Sequence, residues 1–472
     1  VRTRTGSRLR RAFRLRDGVQ AVRTRVGETV LVVWPHSERL GTLTEGQSAV
    51  LRGLGSDRTV DDLAALCPAG EAHELLARLA AGGWVITTLT CEGRALFSSW
   101  PTWPGRPRAV AAGPTGRRLS RLAWVRREGE DHVVESAVAS RLVRLHDERL
   151  FGALVRTGAP DAVPSGVPAE AAAALWDELA GSGLLESDAE SEELRLAQWS
   201  HHELAFHHGS RLRSEHTTGV DFGGTYWARG RFPPPPGRHP VWTGTPIPLP
   251  SPDLERLRVQ DPPLSAVVED RRSVRAHDDD RPIGLPELGE FLYRTARVRR
   301  TAEDGGLQVS SRPTPAGGGC HEIELYAVVR VVDGVPAGMY HYDPYDHVLR
   351  AVPSSPAAVR ALMAASAAGM GPGGAPQVLL VLATRFGRLA WKYRSMAYAL
   401  TLKHVGVLYQ AMYLAATAMG LAPCALGVGD PDVFAAATGL DGCEETSVGE
   451  FALGSLAVPE RGKGAADEAE TA

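Results

Sequence analysis

The chain has 472 residues, is 43% hydrophobic and 23% charged, and carries a formal net charge of −3. That length exceeds what one core supports and implies two or three domains, while the near-neutral balance argues against nucleic acid as the main partner. Five scattered cysteines without a CxxC pair point away from a zinc site and toward a reducing compartment. With no apolar segment long enough to span a bilayer and no signal-peptide core at VRTRTGSRLRRAFRLR, the expected location is the cytoplasm.

The first 25 residues hold nine arginines against one aspartate, Asp17, and read as a basic, solvated arm leading into a first strand. LTEGQSAVLRGL then reads as a helix, Thr59 as the cap of TVDDLAALC, and AHELLARLAAGGWVITTL as helix, glycine turn and strand. A second copy of this order begins at RLFGALVRTG. In it Pro168 starts a helix over PAEAAAALWDELA, Gly181 and Gly183 stop it, and LLES supplies a strand. The duplication is similar to tandem winged-helix modules, which bind DNA, bind peptides or act as dimer scaffolding. The acidic TVDDLAALC lacks the arginine and lysine run of a DNA-reading helix, so a peptide contact or a scaffold is expected.

RGRFPPPPGRHP, continuing through TPIPLPSPD, is a proline-rich linker between the two halves. Beyond it EIELYAVVRVVDGVPAGMYHYDPYDHVLRAV predicts antiparallel strands joined at DG and DP turns, and QVLLVLAT a fully buried strand. One long helix is expected from Leu389 to Gly420, with FALGSLAV closing an α+β sheet. The tail GKGAADEAETA has the composition of a disordered segment.

Three stretches could build a site. DRRSVRAHDDD sets Arg271, Arg272 and Arg275 beside Ser273, forks and a hydroxyl suited to a phosphate. SSRPTPAGGGCHEIELY is a constrained loop at a sheet end whose glycines let backbone approach a flat ligand. LAPCALGVGDPD is a glycine-interrupted strand. No GxGxxG follows a first strand, no GxxxxGK[ST] occurs, and no HExxH or paired-cysteine spacing suggests a metal.

The order RRSVR, RPTPAGGG, HEIELY, GMYHYDPYDHVL, WKY, MGLAPCALGVGD and EETSVGEFALGS resembles the SagB-type azoline dehydrogenases, flavin-dependent oxidases of the nitroreductase superfamily. The resemblance spans most of residues 195–458, including the lead-in LAQWSHHELAFHHGSR. Its long-helix segment is most similar to members of thiopeptide pathways. It implies an FMN-dependent enzyme converting thiazolines, or oxazolines, to azoles in a ribosomally made peptide. Lys392 and Tyr393 would be the catalytic pair, expected at or just before the start of the long helix.

By the same resemblance Arg271, Arg272, Ser273 and Arg275 meet the phosphate and ribityl chain. Pro315, Ala316, Gly317 and Gly318 cover the ring, often from the partner subunit, and Leu426 and Gly427 lie near its edge. Ala316, Met396 and Lys403 depart from the family's usual serine, arginine and acidic residue. The implied partners are a second copy of the chain, the modified precursor peptide and a cyclodehydratase, with no nucleic acid or membrane. Two other readings stay open: an NAD(P)H-dependent nitroreductase-like oxidoreductase, and a flavin-free peptide-binding scaffold.

The expected layout is a basic arm and first strand over 1–30, winged-helix-like modules over 31–100 and 101–195, and a lead-in and proline-rich linker over 196–250. A nitroreductase-like oxidase domain over 251–460 and a disordered tail over 461–472 complete it.

Overall fold

A computed structural model describes residues 9–33, 36–102, 116–155, 166–210, 228–371, 374–393 and 395–457. The chain divides into two compact units, Val1–Asp221 and Phe222–Ala472. The tail at 461–472 and the first eight residues of the basic arm lie outside the described residues.

The first unit opens with β1 (Leu9–Leu15), β2 (Gln20–Arg23), β3 (Thr29–Val33) and β4 (His36–Gly41). The arm expectation is corrected here. All seven residues of β1 pair antiparallel with a later strand, from Leu9 opposite Cys91 to Leu15 opposite Val85. Ala12 is buried on one face and Phe13 and Leu15 pack on the core against the other, so pairing with β6 rather than net charge decides the fate of LRRAFRL. Then come α1 (Glu45–Gly53), β5 (Arg58–Thr59), α2 (Val60–Ala64), α3 (Ala69–Ala81), β6 (Val85–Cys91) and β7 (Arg94–Pro101). Thr44 and Thr59 each close a capping box, so both helices begin at the threonine whose oxygen accepts an otherwise orphaned amide.

The unit continues through β8 (Ala123–Glu128), β9 (Asp131–Ser136), β10 (Arg141–Leu145), α4 (Glu148–Val155), α5 (Ala169–Ser182), α6 (Ala189–Glu192), α7 (Leu194–Ala197) and α8 (His201–Gly209). Its strands form a seven-stranded sheet, β5-β1-β6-β7-β10-β9-β8, and a three-stranded sheet, β2-β3-β4. Two local expectations are corrected. Gly181 lies inside α5, which ends at Gly183 in the left-handed conformation (φ 76°), and LLES contributes only one bridge, Leu185 to Leu119.

The second unit holds β11 (Pro246–Pro248), α9 (Leu254–Gln260), α10 (Leu264–Asp270), α11 (Leu285–Ala296) and a hairpin of β12 (Arg300–Asp304) and β13 (Leu307–Ser311). After it come β14 (Ile323–Val329), β15 (Gly338–Asp343), β16 (Val348–Ala351), α12 (Pro356–Met370), β17 (Val378–Thr384), α13 (Phe386–Ala390), α14 (Ala397–Ala418), β18 (Leu421–Leu426), α15 (Pro431–Thr438) and β19 (Thr446–Ser455). A sheet of order β11-β16-β15-β14-β17-β19-β18, antiparallel throughout, forms the middle layer.

Alternate residues of β17 serve the two faces. Val378, Leu380 and Leu382 pack with α11 and α14, whereas Leu379, Val381 and Ala383 pack with α12 and α15. Covered on both sides, QVLLVLAT needs no polar alternation. Each fully buried valine or leucine there contributes about 1.5–3 kcal/mol.

The proline-rich segment is not a free linker. Polyproline carbonyls have no ladder partner of their own, and those of Pro235 and Pro236 accept from the buried Arg388 guanidinium at 3.1 and 2.7 Å. Arg385 binds the carbonyls of Pro236 and Gly237. The segment belongs to the second unit, and the division falls earlier in the chain.

Candidate active site

The expected long helix is interrupted. α13 ends at Ala390, Ser395 adopts φ 63°, and α14 begins at Ala397 with Met396 as its N-cap. Lys392 and Tyr393 stand in this break, and both their amides donate to Leu389 O, at 3.1 and 2.9 Å. The C-terminal turn of α13 therefore sets the backbone of the dipeptide.

Lys392 Nζ donates to Asp304 Oδ2 at 2.5 Å, from the end of β12. That bond holds the lysine pKa above its ordinary value. Burial pushes the Tyr393 phenol up, with the neighbouring ammonium pulling the other way. At neutral pH the pair is thus an ammonium beside a neutral phenol.

Over the dipeptide lies the glycine loop. Ala316 is extended (φ −141°), Gly317–Gly319 make one 3₁₀ turn, and Gly318 has φ 56° inside it. A Cβ on Gly318 would come 2.5 Å from Lys392 Nζ, and one on Gly317 3.4 Å from Tyr393 Cε2. Only glycine lets the backbone lie this close to the lysine at that φ. Pro315 and Ala316 line a small pocket on the other side of the loop with Arg312, Glu322 and His404.

Beneath these elements Arg388, 1% exposed, donates to the carbonyls of Cys320 and Gln308 as well as to the two prolines. One guanidinium thus ties α13 to β13, to the end of the glycine loop and to the proline segment. Arg388 and Asp304 were missed by sequence reasoning. The Asp304-Gly305-Gly306 turn was a hairpin signal, but the charged residues of β12 concealed it.

The second group gathers at the far end of α14. Residues 271–275 leave α10 and run along β18, where Val274 N donates to Pro423 O at 2.8 Å. Tyr413 organises them. Its phenol oxygen accepts from Ala425 N at 2.8 Å and lies 2.8 Å from Ser273 Oγ, while the Arg271 guanidinium sits 5.3 Å over its ring. Arg272, Ser273 and Arg275 are exposed. Leu426 is buried at the end of β18, Gly427 is exposed, and no atom lies within 4 Å of a Gly427 Cβ. Nearby, the Glu450 carboxyl lies under Gly429, and burial pushes it up to about 7.

The structure therefore brings Arg271, Ser273 and Leu426 together around Tyr413, and separately sets Gly317 and Gly318 against Tyr393 and Lys392, with Pro315 and Ala316 on the pocket behind. His404 and Tyr413, which touch one group each, are nine residues apart on α14, about 13.5 Å at 1.5 Å per residue. Lys403 is exposed on the same helix. Glycine backbone beside Lys392 and Tyr393 admits a flat ring, and the Arg271 guanidinium with the Ser273 hydroxyl on Tyr413 suits a phosphate.

Residues 268–455 match the nitroreductase family, and residues 117–216 match the family described as cyanobactin oxidase ThcOx. A curated Methanocaldococcus jannaschii protein described as a nitroreductase is 31% identical over 177 residues, which cover 37% of this chain and 81% of that one. The chain belongs to the nitroreductase family, and with the second match the resemblance to SagB-type azoline dehydrogenases holds.

Among solved structures, the Escherichia coli microcin synthetase McbBCD complex with truncated pro-MccB17 bound matches at TM-score 0.33 and 21% identity, over 40% of this chain and 73% of that one. A Desulfovibrio desulfuricans nitroreductase in complex with FMN matches at TM-score 0.26 and 16% identity, over 41% and 86%. Among the described residues no helix is long and apolar enough to cross a membrane.

Proposed function

We propose that this chain is an FMN-dependent dehydrogenase that oxidises thiazolines, and oxazolines where present, to aromatic azoles in a ribosomally made peptide. The observation that carries the reading is the closure of the Gly317–Gly318 backbone on Lys392 and Tyr393, which leaves an amine and a phenol at the edge of a cradle for a flat ring. The match to a cyanobactin oxidase family over residues 117–216 supports a peptide substrate and, with it, a cyclodehydratase that supplies the rings.

In this reading Arg271, Arg272 and Arg275 hold the FMN phosphate and Ser273, oriented by Tyr413, the ribityl chain. Leu426 and Gly427 border the ring edge. FMN, when bound, supplies the two-electron oxidant that takes one substrate hydrogen with its electron pair.

The chain's own task is the proton. Lys392 as an ammonium lowers the cost of a Tyr393 phenolate, and Lys392 itself would accept a substrate proton only after giving one of its own to solvent, a loss that its bond to Asp304 opposes. The glycine loop and Leu389 hold both groups in register with the substrate carbon, and this positioning is a large part of the rate enhancement.

The two groups of site residues are separated along α14, and Tyr398, Leu402 and Val407 of that helix are exposed, as are Val259, Leu264 and Val268 on α9 and α10. Both features support a homodimer in which the partner's glycine loop completes the site. In the N-terminal unit, α1–α3 followed by the β6–β7 hairpin support a winged-helix-like module.

A pair of variants tests the proposal. Lys392→Ala retains FMN, read as absorbance after gel filtration, and loses azole formation. Arg271→Ala loses FMN first. Loss of FMN from Lys392→Ala, or full turnover by it, would overturn the assignment.

A further inference from the structure

The Gly317 amide donates to His404 Nε2 at 2.8 Å. A ring nitrogen that accepts carries no hydrogen, so the imidazole proton resides on Nδ1. Nδ1 then donates to Glu322 Oε1 at 2.7 Å. The pair is local to neither element, since the residues are 82 apart in sequence. His404 comes from the second turn of α14 and Glu322 from the residue before β14.

Glu322 is fully buried, and its second oxygen, Oε2, has no hydrogen-bond partner among the described residues. It lines the small pocket behind the glycine loop with Arg312, whose Nε is also buried without a partner. A buried carboxylate costs several kcal/mol unless its lone pairs are used, and an apolar pair would serve stability as well. A half-satisfied carboxylate retained at this place is explained by the histidine it orients.

The consequence of that orientation lies at the next side chain along the loop. A Gly317 Cβ would lie 3.4 Å from Tyr393 Cε2 and 3.5 Å from His404 Nε2, so phenol ring and imidazole flank the same residue. The next residue, Gly318, rests against Lys392.

We propose that His404, oriented by Glu322, is a positioning residue that holds Gly317 through its amide, and with it Gly318, against Tyr393 and Lys392, and so fixes both side chains relative to the substrate. The importance of the dipeptide rests on the function proposed above. The hold on the loop does not.

Two substitutions separate the two bonds of the imidazole. In His404→Gln the amide oxygen reaches the place of Nε2 and still accepts from Gly317, whereas His404→Asn offers a polar group only at the place of Nδ1, within reach of Glu322. The full chain loaded with FMN is compared by hydrogen exchange read by mass spectrometry over residues 313–321, and by kcat and KM on a thiazoline peptide.

His404→Asn should exchange about tenfold faster at the loop, the equivalent of one lost hydrogen bond. Its kcat should fall at least tenfold, with KM changed by less than threefold, because the loop acts on the reacting groups rather than on peptide affinity. His404→Gln should keep wild-type protection and most of kcat. Wild-type protection in His404→Asn overturns the proposal, as does an equal loss of kcat in both variants. If wild-type protein fails to oxidise the peptide, the function reading fails, and the exchange contrast still decides the role of His404.

Discussion

Substituting Gly318 by alanine puts the geometry of the site to a quantitative test. The residue has φ 56°, and an L side chain in the left-handed region costs about 1–2 kcal/mol. The new Cβ would meet Lys392 Nζ at 2.5 Å, Cε at 2.8 Å and Cδ at 2.9 Å. All three atoms belong to the far end of a flexible chain, so the clash is relieved by the lysine swinging aside, and little further stability is lost. Function is another matter, because the swing takes the amine off Asp304 and away from its place beside Tyr393. A misplacement of about 1 Å costs a reaction on the order of 100-fold.

Gly318→Ala should therefore melt only about 2–8 °C lower, retain FMN, and form azole about 100-fold more slowly. Circular dichroism melts, flavin absorbance after desalting and mass spectrometry of the peptide provide the three readings. A variant that turns over within twofold of wild type would refute the argument that the loop and the lysine share one space.

Two further outcomes follow from the same contacts. Asp304→Asn removes the carboxylate that raises the Lys392 pKa, so the neutral amine becomes available at lower pH; the rising limb of the pH–rate profile should move to lower pH, and an unmoved limb would show that Lys392 does not act as a neutral base. Arg388→Met leaves four carbonyls, of Pro235, Pro236, Gln308 and Cys320, without their donor. At about 1 kcal/mol each this predicts a loss of about 4 kcal/mol in urea unfolding, and a loss below about 1 kcal/mol would mean that water replaces the guanidinium.

What the sequence made legible was whatever depends on neighbours along the chain. Thr59 announced its helix through a capping box that closes within three residues, and QVLLVLAT declared a strand buried on both faces. The break before α14 was half legible. WKY was expected near a helix start, but a helix running from Leu389 was also expected, and among the described residues of the break Ser395 takes φ 63° between α13 and α14.

Contacts between distant residues were not legible. Arg388 meets Pro235 across 153 positions and His404 meets Glu322 across 82, and no local pattern encodes such pairs. Charge misled at LRRAFRL, whose Ala12, Phe13 and Leu15 become covered once β6 lies alongside. Composition misled at FPPPPG, whose bare carbonyls suit two arginines on α13 and its N-cap.

Azoline oxidation is tested most directly by the mass of a thiazoline-bearing precursor peptide after incubation with the FMN-loaded chain in air. The expected result is a loss of two hydrogens per ring, dependent on FMN and requiring no NAD(P)H. An unchanged peptide mass, together with rapid bleaching of the bound flavin by NAD(P)H alone, would contradict it.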